Sequence, residues 1–67
     1  RPADALAIID RGLIQDSNDT DLLLHKVRAQ ERLKQWTAAQ ITLNHLLHLK
    51  PEMVEAQTLK KRLIAKH

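Results

Sequence analysis

Apolar residues recur along the chain at the three- and four-residue spacing of an amphipathic helix. Residues 2–15 and residues 37–49 show this pattern most clearly, with apolar or small residues at offsets 0, 3, 4, 7 and 8. In the first stretch they are Ala5, Ile8, Ile9, Gly12 and Leu13, and in the second Ala39, Thr42, Leu43, Leu46 and Leu47. These offsets mark one face of a helix with 3.6 residues per turn, so each stretch is predicted to be a helix.

Two further helices are predicted, over residues 20–33 and 52–66. The first carries apolar residues on more than one stripe, as expected for a helix with neighbours on two sides: Leu22, Leu23, Leu24, Val27, Ala29 and Leu33. The second has a narrower stripe with Ile64 beside it: Met53, Ala56, Leu59 and Leu63. The predicted fold class is all-α, with four helices.

Polar residues and a proline mark the ends of these helices. The polar stretch 16–19 separates the first two, and Asn18 with Asp21 resembles a capping box at the start of the second. The stretch 34–36 is predicted to link the second and third helices. Pro51 ends the third helix, since the residue before proline avoids the α region. Such short links predict that sequential helices pack antiparallel.

The third helix repeats the pattern of the first after 34 residues. Ala5 precedes Ala39, and Leu13 precedes Leu47, by that interval. A helix–turn–helix unit of 34 residues is the period of one class of α-solenoid. One run resembles the second helix of a tetratricopeptide repeat (TPR). It has an aromatic residue, a small residue, large apolar residues and a proline at the family's spacing: Trp36, Ala39, Leu43, Leu46 and Pro51.

The resemblance implies a fold of antiparallel helix–turn–helix repeats, a TPR-like α-solenoid. Residues 1–17 would be the second helix of one repeat, 18–51 a complete repeat, and 52–67 the first helix of the next repeat or a capping helix. The chain departs from the family at three positions. Gln30 replaces a large aromatic residue, Lys26 a leucine and Lys34 the glycine of the turn.

Composition limits the chemistry that the chain can perform. It has no cysteine and a single serine, and it lacks a glycine-rich phosphate loop, so no enzyme activity, catalytic residue or cofactor is expected. His45 and His48 share a helix face, but two ligands do not make a metal site.

No apolar run is long enough to cross a membrane. Because the first residue is Arg1, we expect the chain to be a piece of a longer protein.

The expected function is a scaffold module that binds a protein partner. The net charge of +3 favours an acidic partner. Two alternatives remain open. The basic residues Lys60, Lys61, Arg62 and Lys66 could serve a helical nucleic-acid-binding domain, although aromatic stacking platforms are missing. A helical dimerisation module without a groove would self-associate through the uncovered ends of a short solenoid.

In TPR proteins the first helix of each repeat lines a concave groove where extended peptides bind. The resemblance therefore places a partner-binding face on residues 20–33 and 52–66. Its residues would be Leu24, Arg28, Arg32, Arg62 and Lys66, with Leu24 as an apolar floor and the others as a positive ladder. Glu31 would neutralise part of that charge. This chain lacks the Lys and Asn of the carboxylate clamp found in chaperone-binding TPR proteins, since Leu24 and Arg28 occupy those positions.

Overall fold

The computed structural model describes residues 1–65, which form four α-helices and no β-strand. They are α1, Pro2–Gln15; α2, Thr20–Arg32; α3, Trp36–Leu49; and α4, Val54–Ala65. The predicted all-α fold class is confirmed, and the helix ends lie within about two residues of the predicted ones. None of these helices is long and apolar enough to span a membrane.

Local chemistry explains where the helices begin and end. Pro2 lies in the first turn of α1, where backbone N–H groups have no partner within the helix. The N–H that proline lacks therefore costs no helix hydrogen bond. Helix α3 ends at Leu49, two residues before Pro51. Trp36 was predicted to lie in a link but begins α3.

The predicted capping box at α2 is wrong. The N-cap is Asp19, whose carboxylate accepts a hydrogen bond from the Leu22 N–H at 3.2 Å. The Asn18 N–H donates to the Asp16 side chain at 3.1 Å, which holds Asn18 in the preceding turn. Asn18 and Asp19 are both good N-cap residues, and the Asp16 turn decides between them.

Each helix packs against the next one in the chain: α1 on α2, α2 on α3, and α3 on α4. The links contain four, three and four residues, so the chain reverses at each of them. Gly12 allows α1 to approach α2 closely, because a Cβ at this position would lie 2.6 Å from Leu22 Cδ1. The core runs along α2, α3 and α4, and its buried residues are Leu23, Leu24, Val27, Ala39, Leu43, Leu46, Ala56, Leu59 and Leu63.

The link between α2 and α3 contains a backbone conformation that favours glycine. Lys34 has a φ of 60°, the one positive value at a non-glycine residue in the described chain. Its N–H donates to the Glu31 carbonyl at 3.0 Å, and the Gln35 N–H donates to the Gln30 carbonyl at 2.9 Å. These two bonds form a Schellman motif, in which glycine usually takes the left-handed position. The lysine is thus strained where TPR proteins usually have glycine.

The core predicts the effect of shortening Leu43, which is 1% exposed. Leu43→Ala should lower the free energy of unfolding by about 2–5 kcal/mol, because it removes buried methyl groups and leaves a cavity. Ile41 lies on the same helix and is 67% exposed, so Ile41→Ala is a matched control with an expected change within about 0.5 kcal/mol. Thermal melts followed by circular dichroism measure both. A melt unchanged by Leu43→Ala would contradict this packing.

The strain at Lys34 predicts a stabilising substitution. Lys34→Gly should raise the free energy of unfolding by about 1 kcal/mol, since a left-handed φ costs a non-glycine residue about 1–2 kcal/mol. The melting temperature should rise by about 4–8 °C. Lys50→Gly is the control, because Lys50 also follows a helix but has a φ of −136°. The interpretation fails if Lys34→Gly lowers the melting temperature, or if both substitutions change it equally.

Candidate partner-binding surface

An ion pair joins α2 to α4 on one side of the molecule. The Arg62 guanidinium donates through Nη2 to Glu31 Oε1. The Arg62 side chain is 56% exposed and the Glu31 side chain 12%, so the arginine lies over a carboxylate that is mostly removed from solvent. This contact brings the partner-facing surfaces predicted for the two helices together.

Two more arginines surround the same ion pair. Arg28, Arg32, Arg62 and Glu31 line one shallow depression on the surface. Arg28 and Arg32 are exposed, and neither pairs with a carboxylate of residues 1–65. The depression thus holds three positive charges and one negative charge. Three of the predicted site residues are brought together, and two of their guanidinium groups have no acidic partner in the described chain.

The other two predicted site residues, Leu24 and Lys66, are not part of this arginine cluster. Leu24 belongs to the hydrophobic core and is only 8% exposed, so it offers a partner little apolar area. Lys66 lies outside the described residues. The described part of the site is therefore a cluster of guanidinium groups.

Glu31 was assigned only as a neutralising charge, yet its carboxylate lies within the cluster. Its second oxygen, Oε2, is buried and has no hydrogen-bond partner among residues 1–65. Part of this arrangement could be predicted, because residues three apart on a helix are neighbours and Glu31 is three residues after Arg28. The pairing with Arg62, 31 residues away, depends on how α2 and α4 are placed in space.

A second ion pair lies outside this cluster. Lys26 Nζ lies 2.9 Å from Asp10 Oδ1 and joins α2 to α1. The Lys26 side chain is 26% exposed, so its apolar stem is largely covered while its ammonium group meets the carboxylate. This contact explains how a lysine is accommodated where the family usually has leucine.

The two histidines of α3 do not belong to a larger group of potential metal ligands in residues 1–65. His45 and His48 are both exposed on α3, and no group of three or more potential metal ligands occurs among the described residues. Lys60 and Lys61 are exposed on α4 beside Arg62, so the basic character predicted for this helix extends beyond the arginine cluster.

Comparison with known families identifies the class of protein. A tetratricopeptide repeat model matches residues 1–63, nearly the whole chain. The chain therefore belongs to the tetratricopeptide repeat family, as its sequence predicted. Repeats of this family generally mediate protein–protein interaction and are not catalytic. Comparison with curated proteins and with solved structures gives no significant match.

The Glu31–Arg62 contact predicts a coupled effect on stability. Arg62→Ala should lower the free energy of unfolding by up to about 1 kcal/mol, because it leaves a mostly buried carboxylate unpaired. Lys61→Ala, at an exposed neighbour on the same helix, is the control and should change little. In a Glu31→Gln background the effect of Arg62→Ala should shrink. Urea unfolding of the original chain, the two single variants and the double variant measures this coupling. If the effects of Arg62→Ala and Glu31→Gln are additive, the ion pair contributes nothing.

Proposed function

We propose that this chain is a protein-interaction module within a larger scaffold or assembly protein. Its partner would be an acidic segment or a C-terminal carboxylate, bound on the surface of α2 and α4. The arginine cluster of Arg28, Arg32 and Arg62 is the observation that supports this most. Arginine can hold a carboxylate through two parallel hydrogen bonds, and such charge-assisted bonds are among the stronger ones in proteins.

The surplus of positive charge in the depression favours an acidic partner. Exposed Arg28 and Arg32 can approach a carboxylate without first breaking an ion pair within residues 1–65. Arg62 is different, since it already contacts Glu31. An incoming carboxylate would bind the two unpaired arginines first and would compete with Glu31 for the third.

This competition gives Glu31 a distinct role in the proposal. Its carboxylate lies where a carboxylate of the partner would otherwise contact Arg62, and it lowers the positive charge of the cluster. Replacing Glu31 with the neutral, similarly shaped glutamine should therefore strengthen the binding of acidic segments. A surface that bound its partner through apolar contacts alone would not respond in this way.

Charge reversal tests the arginine cluster. The probe is a short fluorescent peptide rich in Asp and Glu with a free C-terminal carboxylate. Arg28→Glu with Arg62→Glu should weaken its binding by about tenfold or more, given about 1.5–3 kcal/mol for a hydrogen bond to a charged group. Salt dependence should fall as well, because fewer charges are paired on binding. Glu31→Gln should strengthen binding. Fluorescence anisotropy at two salt concentrations measures all three effects.

Matched controls separate this cluster from the net charge of the protein. Arg11→Glu with Lys50→Glu makes the same change in net charge at exposed positions outside the cluster and should leave affinity nearly unchanged. Peptides with Asn and Gln in place of Asp and Glu should bind weakly, and a C-terminally amidated peptide shows how much the terminus contributes. The proposal fails if the two double variants behave alike, or if duplex DNA of similar charge density binds more tightly than the peptide. The second outcome would favour the nucleic-acid alternative.

A further inference from the structure

Every described residue that lines the depression between α2 and α4 is charged. The lining residues are Arg28, Glu31, Arg32 and Arg62. The depression between α3 and α4 differs, because Leu43, Leu63 and Ile64 belong to its lining. An apolar side chain of a partner would bury little apolar surface between α2 and α4. The volume there is about 380 Å³, near the lower end of the range of about 300–1,000 Å³ for ligand pockets. This depression therefore suits a single charged group.

The charges in the depression favour a group with more than one negative charge. Three guanidinium groups and one carboxylate leave a surplus of two positive charges. A carboxylate of a partner has one negative charge and two oxygens, so it would leave part of this surplus and one guanidinium without a counterpart. A phosphate monoester carries about −1.5 to −2 at pH 7 and has three strong acceptor oxygens. It matches the cluster both in charge and in the number of arginines.

The three arginines have N–H donors available for such a group. Arg28 and Arg32 lie one turn apart on the same face of α2, are exposed, and pair with no carboxylate of residues 1–65. Arg62 donates through Nη2 to Glu31, but a guanidinium has five N–H donors. The Glu31 side chain is mostly removed from solvent. It can therefore orient Arg62 while the other N–H donors of the arginine remain available.

We infer that this depression binds a phosphoryl group, carried by a phosphoserine or phosphothreonine in an acidic segment of a partner protein. The inference rests on the proposed function, because it names the group of the acidic partner that contacts the arginines. A protein fits better than a lipid surface, since repeats of this family generally mediate protein–protein interaction. In addition, none of the exposed large apolar residues of the described chain lines the depression. Phosphorylation of the partner would then strengthen the interaction.

Three versions of one fluorescent acidic peptide test the phosphoryl group. The central position holds phosphoserine in the first, serine in the second, and two adjacent glutamates of similar total charge in the third. The phosphoserine peptide should bind about tenfold more tightly than the diglutamate peptide, because one phosphoryl group can accept hydrogen bonds from all three guanidinium groups. The serine peptide should bind most weakly. Fluorescence anisotropy measures the affinities at a pH above the second phosphate pKa of about 6.

Paired substitutions show whether the phosphoryl group binds in the depression. Arg28→Gln with Arg32→Gln should abolish the preference for phosphoserine over diglutamate, and circular dichroism should show that the helices remain. Arg28→Lys with Arg32→Lys should reduce the preference, because lysine keeps the charge but lacks the planar fork of donors. Lys60→Gln with Lys61→Gln is the matched control, since it removes two charges from exposed positions of α4 outside the depression. A preference that survives Arg28→Gln with Arg32→Gln would overturn the inference.

The peptide results separate this inference from the proposed function. If the phosphoserine and diglutamate peptides bind equally well and both depend on the arginines, the phosphoryl inference fails and the proposed function stands. If none of the acidic peptides binds, both fail.

Competitors identify the source of the phosphoryl group. Inorganic phosphate should displace the phosphoserine peptide, whereas chloride at the same ionic strength should displace less of it. Phosphatidylcholine vesicles containing phosphorylated inositol lipids, and a single-stranded oligonucleotide, should both bind more weakly than the phosphoserine peptide. Tighter binding of either one would overturn the assignment to a protein partner.

Discussion

The packing of α2 against α3 determines the position of every other helix. Their shared core contains the most completely buried side chains of the two helices, among them Val27, Ala39 and Leu46, each at 0% exposure. Helix α1 packs mainly on α2, and α4 packs mainly on α3, while the Glu31–Arg62 ion pair also joins α4 to α2. The arginine cluster depends on the same contact, since it is assembled from α2 and α4, with α3 holding α4 in place.

The helices could be predicted from the sequence because their apolar spacing and their proline are local signals. The apolar pattern gave α1 over its full length, and Pro51 fixed the end of α3. The N-cap of α2 could not be chosen from residue preference, because adjacent Asn18 and Asp19 both favour that position. It depends on a side-chain hydrogen bond from Asp16 that the pattern does not reveal.

The candidate site could be predicted only in part, because a sequence pattern does not give the placement of the helices relative to one another. Arg28 and Arg32 are one turn apart on α2, and the 34-residue repeat relates Arg28 to Arg62, so a shared surface follows from the repeat alone. The repeat does not show that Leu24 is mostly buried or that Glu31 contacts Arg62. Both depend on the rotation and separation of neighbouring helices, which a period in the sequence leaves undetermined. Gln30 illustrates the same limit, because its side chain is buried and its Oε1 has no hydrogen-bond partner in the described part of the chain.

Unequal burial of the helices has a consequence for how the native chain opens. Helix α1 contributes a single buried residue, Ile9, whereas α4 contributes Ala56, Leu59 and Leu63. Segments with few buried apolar contacts open at a lower free energy than the core. Backbone amides of α1 should therefore exchange with solvent deuterium first, those of α4 later, and those of α2 and α3 only on global unfolding. The central helical hairpin would persist as a cooperative unit while the first helix detaches and rebinds.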